Sequence, residues 1–359
     1  MKIAIIEPYY GGSHKAFWDG LAAVSPYQFQ FYTLPAHKWK WRMRLAAPIF
    51  ARNFSEHPDA LEGVSLILCS PYLDVAAFKG LLPANLQAIP VFAYFHENQF
   101  DYPVQLSKER DVHFALTNLT TALAADRIAF NSRYNLQSFI DGARKLLRMI
   151  PDMKLAGWTQ KVRAKATILH PAIDFTEIDR MKRCKINRMP VIVWNHRWEH
   201  DKNPQLFFQM LSELKANGHE FKIIILGESF RQVPDIFVSA KERFKENTIH
   251  FGYVRSRRQY LSYLKQGDII VSTARHEFYG ISVIEAVRAG CMPLLPDGLS
   301  YPELFPRKYL YKEGELTKKM LDFLPEARFS AETARKLTEQ FSWPSLLPHY
   351  KKWLNNDSL

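Results

Sequence analysis

Two α/β domains in tandem are what this sequence predicts, and three observations predict them. Short apolar runs of strand length alternate with helical stretches along the whole chain, which is the beat of a parallel α/β sheet. The beat breaks in a polar stretch that holds the basic cluster Arg180 to Arg188, then restarts near Pro190. At 359 residues the chain has room for two domains of roughly 100 to 200 residues each.

In the first half the predicted strands are Lys2 to Ile6, Phe29 to Tyr32, Leu66 to Cys69, Val91 to Tyr94, Arg127 to Ala129 and Ala166 to Leu169. The second half offers Val191 to Trp194, Lys222 to Leu226, Ile249 to Phe251, Ile269 to Val271 and Met292 to Leu295. The expected division is residues 1–172, a hinge at 173–189 and a second domain over 190–340. Ligands of such sheets sit at the carboxyl ends of the strands, so the two sheets are expected to face each other across a cleft.

Composition removes several classes. With 47% hydrophobic and 23% charged residues and no low-complexity tract, the chain is neither disordered nor fibrous. No apolar run approaches the roughly 18 residues of a membrane helix, and MKIAIIEPYYGG lacks the longer apolar core of a secretory signal. A cytoplasmic protein without a transmembrane segment is expected. Cys69, Cys184 and Cys291 are widely spaced, with no C-x-x-C and no histidine at ligand spacing, so neither a disulfide framework nor a zinc knot is expected. A formal charge of +12, from 48 Lys plus Arg against 36 Asp plus Glu, suits a polyanion or an anionic membrane surface as partner.

The strand from Val191 runs into Asn195-His196-Arg197-Trp198-Glu199-His200-Asp201-Lys202-Asn203-Pro204. Arg197 and Lys202 fall in the loop and first turn of a helix that Pro204 can start. Two cations there would hold a diphosphate, although an isolated R-x4-K by itself reads better as surface charges before a helix. After Ile269 to Val271, Glu277 and Glu285 lie eight residues apart around Gly280. A helix beginning near Ile281 puts Glu285 one turn in and Glu277 in the loop above, with the Gly280, Ile281 and Ser282 amides aimed at an anion. This predicts a sugar-nucleotide pocket: amides for phosphate, one carboxylate for ribose and one for the sugar.

In the first half, Glu7-Pro8-Tyr9-Tyr10-Gly11-Gly12-Ser13-His14 follows the first strand, and its glycines permit a tight turn and close approach to a ligand, or simply a strand-to-helix turn. The fourth strand ends in His96-Glu97-Asn98-Gln99-Phe100-Asp101-Tyr102-Pro103, a polar run at a strand tip that makes His96 a substrate-facing candidate. Lys38, Lys40, Arg42, Arg44 and Arg52 have no acidic residue among them and interleave with Trp39 and Trp41. Cations for phosphates and aromatic planes for unstacked bases suit single-stranded RNA; an amphipathic basic helix that buries its tryptophans or lies on a membrane is the alternative. A second basic stretch runs from Arg144 to Lys165.

Arg197, Lys202, Glu277, Glu285 and Gly290 match the donor domain of retaining GT-B glycosyltransferases related to sucrose synthase and glycogen synthase. This chain departs in carrying Asn195-His196 where that family usually has a glycine before the arginine. Ser300 to Leu304 is similar to the segment after the next strand, and Phe341-Ser342-Trp343 resembles the start of a C-terminal helix, here 341–359, that returns to the first domain. E-x-x-Y-G-G-S-H-K together with Y-F-H-E-N-Q-x-x-Y-P, and the segment Pro35 to Arg44, resemble a narrower family, the tRNA-queuosine mannosyltransferases.

The resemblance implies a GT-B fold of two Rossmann-like domains and transfer of mannose from GDP-mannose to the cyclopentenediol of queuosine in tRNA-Asp, with retention of configuration. It makes His96 and Glu277 the catalytic candidates. Gly11, Gly12, Ser13, Arg197, Lys202, Gly280, Ile281, Ser282 and Glu285 would meet the donor. His14, Glu97, Asn98, Gln99, Lys38, Trp39, Lys40, Trp41, Arg42 and Arg44 would meet the acceptor. No D-x-D occurs in the chain, so no metal is expected, and the cations and helix amides would carry the developing charge. Two other readings stay open: a glycosyltransferase acting on a lipid-linked or envelope glycan, and a catalytically silent nucleic-acid-binding protein on the same scaffold.

Overall fold

The computed structural model describes residues 1–102, 111–182, 188–228, 233–326 and 329–355. They form two compact units, Met1–Ile173 with Trp343–Leu359, and Asp174–Ser342.

In the first unit, β1 (Lys2–Tyr10), β2 (Gln28–Pro35), β3 (Val64–Cys69), β4 (Val91–Phe95), β5 (Arg127–Phe130) and β6 (Ala166–Ile168) make a parallel sheet ordered β2-β1-β3-β4-β5-β6. Successive strand residues point to opposite faces. Ile3 and Ile5 pack with Phe17, Trp18, Trp343 and Tyr350, whereas Ala4 and Ile6 pack with Phe50, Phe54 and Phe78. Both faces are covered at the middle of the sheet, so β4 and residues 3–6 of β1 read as unbroken apolar runs, whereas β2 at the edge alternates with polar residues. β1 outruns its predicted end at Ile6 and pairs with β2 as far as Tyr10, through a register shift after Glu7 that accommodates Pro8, which has no N–H for the ladder.

In the second unit, β7 (Val191–Asn195), β8 (Lys222–Leu226), β9 (Thr248–Gly252), β10 (Ile269–Val271), β11 (Met292–Pro296) and β12 (Leu310–Tyr311) make a parallel sheet ordered β12-β11-β10-β7-β8-β9. β12 was not anticipated, because two residues carry no periodicity. Helices Pro204–Ala216 and Ile281–Ala289 start where Pro204 and Gly280 predict. Helix Thr176–Arg180 lies in the stretch expected to be a hinge but belongs to this unit. Its Asp179 accepts two hydrogen bonds from Arg288, at 2.8 and 2.6 Å, and Arg288 also donates to Glu339 at 2.8 Å. One buried guanidinium thus fastens residues 174–182 to helix Ile281–Ala289.

Cys69 and Cys291 are buried, and Cys184 lies outside the described residues. Among the described residues no helix is long and apolar enough to cross a membrane. Within the first unit, helix Gly12–Val24 meets helix Trp343–Leu354 at Gly20, where a Cβ would lie 2.5 Å from the Trp343 indole. Gly20→Val is expected to destabilise the protein by about 1–3 kcal/mol through overpacking, seen as a lower denaturant midpoint at unchanged slope.

Candidate active site

Parallel strands all end on one edge, so the loops after β7, β8 and β10 gather there in the second unit. They enclose a cavity of about 320 Å³ whose lining includes Asn195, His196, Arg197, Lys202, Gly227, Tyr260, Glu277 and Ser282. Gly227, just after β8, adopts φ 139°, and any Cβ there would collide with the His196 carbonyl oxygen. The backbone room that the resemblance places before the arginine is found instead on the neighbouring strand. Asn195 uses its side-chain amide to hold the Tyr260 hydroxyl at 2.8 Å.

Lys202 is 6% exposed. It donates to the His276 carbonyl at 2.7 Å and lies 3.1 Å from Asp201 and 3.4 Å from Glu277. Burial opposes its charge, but Glu277 and Asp201 outweigh burial and hold the ammonium above its ordinary range. Burial likewise opposes the charge of Glu277, and Lys202 keeps it below the usual carboxylate range. Both groups are therefore ions at neutral pH. His196 is the reverse case: burial, reinforced by Lys202, pushes it down to about 4, so it is neutral. Its Nε2 is buried with no hydrogen-bond partner among the described residues.

Gly280 caps helix Ile281–Ala289 at φ 106°, with Tyr301 packed 3.2 Å from where a Cβ would stand. The first amides of that helix have no acceptor within it, and Ser282 lines the cavity. Glu285 stands one turn in, as expected, but behind the wall: it accepts from Arg257 and, at 2.9 Å, from Tyr260. It reaches the cavity through Tyr260. Arg197 is at the rim, 44% exposed and 3.2 Å from Glu199.

In the first unit, Glu7 near the end of β1 has no exposure. One carboxylate oxygen accepts from the Tyr9 amide at 2.8 Å and the Ser70 hydroxyl at 2.9 Å. The other accepts from the Trp18 indole at 2.8 Å and faces His14 Nδ1 at 3.2 Å. His14 Nε2 lies 3.3 Å from Glu97. Burial alone would lower the pKa of His14, but Glu7 and Glu97 raise it to about 10. His96 stacks on it, ring centroids 4.2 Å apart, and burial together with the His14 charge pushes it well below its usual value. His96 Nε2 is buried without a partner among the described residues.

Several predicted contacts have other duties. His14 has a carboxylate at each ring nitrogen, which leaves neither for substrate. Asn98 is a loop brace: its amide donates to Asn135 at 2.8 Å, and its oxygen accepts the Phe100 and Asp101 amides. The Gln99 amide is held by Asn118 at 2.9 Å. At Gly11 a Cβ would strike Ala36, whereas Gly12, with φ 51°, and Ser13 are exposed. Helix Trp39–Glu56 carries the basic-aromatic segment. Trp39 packs against Phe114 and Tyr72, Arg44 is paired with Asp111 at 2.6 Å, and Arg42 donates to the Pro35 carbonyl at 3.1 Å. Trp41 is 60% exposed, and Lys38 and Lys40 are exposed beside it. In the second basic stretch, Lys165 is spent on the Leu123 and Ala125 carbonyls, both at 2.6 Å.

Sequence reasoning passed over Glu7, Trp18, Ser70, His196, Asp201, Arg257 and Tyr260. Glu7 had a signal, a carboxylate directly after four apolar strand residues. His196 and Asp201 stand in the same loop as Arg197 and Lys202, where nothing in their spacing marks them, and Trp18, Ser70, Arg257 and Tyr260 come from other segments of the chain.

Two parallel-sheet units in one chain, the second with a cation-lined cavity at its strand ends, are the architecture of the GT-B class. Solved structures agree in fold: sucrose-phosphate synthase from Thermosynechococcus elongatus is 13% identical, with TM-score 0.70 and complete coverage of both chains. Anabaena HepE in complex with UDP is 10% identical, with TM-score 0.67, covering 99% of this chain and 100% of that one. Residues 2–173 match the family described as tRNA-queuosine alpha-mannosyltransferase N-terminal, and residues 176–332 match glycosyl transferases group 1. The tRNA-queuosine alpha-mannosyltransferase of Drosophila melanogaster is 35% identical over 97% of this chain and 95% of that protein. GDP-mannose:cellobiosyl-diphosphopolyprenol alpha-mannosyltransferase of Xanthomonas campestris is 26% identical over 28% of this chain and 27% of its own. The chain belongs to the tRNA-queuosine alpha-mannosyltransferase family and is a glycosyltransferase.

His14 makes the first unit sensitive to alkali. Its folded pKa of about 10 lies above the ordinary 6.5, so its stabilisation is complete below about 6.5 and is lost as pH rises through about 10. Denaturation midpoints measured between pH 7 and 10 are expected to fall, and His14→Asn is expected to flatten that slope.

Proposed function

We propose that this glycosyltransferase moves mannose from GDP-mannose to the cyclopentenediol of queuosine in tRNA-Asp, in the cytoplasm, with retention and without a metal ion. Coverage carries the reading. The relative of that activity aligns with 97% of the chain, so the likeness includes the half that would select the acceptor as well as the widely shared donor half. The name of the Xanthomonas protein adds support for GDP-mannose as donor.

The cavity chemistry fits that reaction. Breaking the bond to a nucleoside diphosphate builds negative charge on the leaving phosphate, and a cation already in place stabilises it without reorganising. Lys202, desolvated and held by Glu277 and Asp201, is such a cation. Arg197 at the rim and the amides opening helix Ile281–Ala289 are the further donors. Glu277, kept ionised by Lys202, suits sugar hydroxyls as an acceptor. The leaving phosphate oxygen would take the acceptor proton on the same face. Exposed Trp41, with Lys38 and Lys40, offers a stacking plane and phosphate contacts for an anticodon loop.

The test is incubation with GDP-mannose and either queuosine-containing or queuosine-lacking tRNA, followed by nucleoside mass spectrometry. A hexose gained on queuosine alone is expected, unchanged by EDTA; binding of GDP-mannose with no gain on either tRNA would redirect the search to glycolipid acceptors. Lys202→Met is expected to weaken GDP-mannose binding at least about tenfold, the value of one charged hydrogen bond, while tRNA affinity measured by filter binding stays unchanged.

A further inference from the structure

The cations of the second unit's cavity account for a diphosphate, which leaves two residues of its lining, Glu228 and Tyr253, without a task. They leave neighbouring strands. β8 and β9 pair with Leu226 opposite Gly252, so Glu228 and Tyr253 follow a matched pair on the edge where both strands end. Tyr253 is 60% exposed. Glu228 is exposed as well, and among the described residues its carboxylate has no hydrogen bond or ion pair. Its carbonyl accepts the Trp198 amide at 3.0 Å, which fixes the backbone that carries the side chain.

Strand order says which part of a nucleotide these residues meet. The strands run β10-β7-β8-β9; Arg197 and Lys202 follow β7, and Glu277 and Ser282 follow β10. Neighbouring strands lie about 4.8 Å apart, so the ends of β8 and β9 stand about 5 and 10 Å further along the edge. A nucleotide with its diphosphate at Lys202 therefore extends its ribose and base toward β8 and β9, where Tyr253 and half-buried Val254 line the cavity. An aromatic ring there is a stacking plane for any base. A carboxylate is selective. It accepts hydrogen bonds and donates none, which suits guanine, whose Watson–Crick edge carries two adjacent donors, N1–H and the N2 amine. Uracil sets its N3–H between two carbonyls, and adenine presents N1 as an acceptor beside its amine, so in both a carboxylate meets a lone pair.

Resting on the reading that this cavity takes the donor nucleotide, we infer that Glu228 selects guanine by accepting from its N1–H and N2 amine, and that Tyr253 stacks on the base without distinguishing it. Choice of base then lies in one side chain on the loop after β8, apart from Lys202 and Glu277, which serve the diphosphate and the sugar.

Competition binding of nucleoside diphosphates to the full chain tests this, with inosine diphosphate as the probe, because inosine keeps N1–H and lacks only the 2-amino group of guanosine. Wild type is expected to bind GDP at least about tenfold tighter than inosine diphosphate, the value of one charged hydrogen bond, and to bind UDP more weakly than either. Glu228→Ala is expected to weaken GDP at least about tenfold, to bring GDP and inosine diphosphate within about threefold of each other, and to leave UDP unchanged. Tyr253→Ala is expected to weaken GDP and inosine diphosphate alike, by about five- to a hundredfold, with their ratio as in wild type; Tyr253→Phe, which keeps the ring, restores binding. Both residues are exposed, so wild-type melting temperatures are expected throughout. Equal wild-type affinity for GDP and inosine diphosphate, an unchanged ratio in Glu228→Ala, or unchanged GDP affinity in Tyr253→Ala overturns the inference. A uniform loss of all three nucleotides in Glu228→Ala also overturns it, since that is the mark of a disturbed loop. A wild type that binds no nucleoside diphosphate, or prefers UDP, removes the donor reading and this inference with it, whereas a preference for GDP that survives in Glu228→Ala sinks the inference alone.

Discussion

An ion removed from water must be met by partners on every side, and that demand shapes each unit. Glu7 in the first unit and Lys202 in the second are both desolvated and both ringed by groups of matching polarity. Desolvating a charge costs several kcal/mol unless its hydrogen-bonding capacity is filled. Ser70, Trp18 and His14 are therefore tied to Glu7, as Asp201, Glu277 and the His276 carbonyl are tied to Lys202. The ions lie at the carboxyl ends of strands because a parallel sheet gathers its loops on that edge and leaves its middle apolar.

Around each ion sits a histidine kept neutral. His96 stacks on charged His14, and His196 lies in the field of Lys202; in both, burial and a neighbouring cation disfavour protonation. Each unit thus combines a permanent charge with an uncharged imidazole whose Nε2 has no described partner. That combination serves group transfer well. The ion organises the site electrostatically, and the imidazole can give or accept a hydrogen bond without a change of net charge.

Backbone freedom is the second device. Gly227 and Gly280 hold φ values of 139° and 106°, the first letting the His196 loop pass and the second turning the chain into helix Ile281–Ala289 over Tyr301. Neither position packs a side chain. A residue with a Cβ would be strained at both and would strike a neighbour at the first.

The sequence by itself determined the two parallel sheets, eleven of their strands, the starts of helices Pro204–Ala216 and Ile281–Ala289, and the placing of Lys202, Glu277 and Ser282 around one cavity. These are local matters: apolar runs, Pro and Gly punctuation, and residues that one loop or helix start brings together. Tertiary structure decided which members of a motif face a ligand. Neighbouring residues of one polar or basic run diverge, Trp39 into an aromatic cluster and Trp41 outward, Asn98 into the loop and Glu97 to its surface. Their fate depends on Phe114, Asn135 and His14, which are remote in sequence. The Glu7–His14–Glu97 row needed β1, helix Gly12–Val24 and the loop after β4 at once, and no spacing along the chain encodes a contact 83 residues apart.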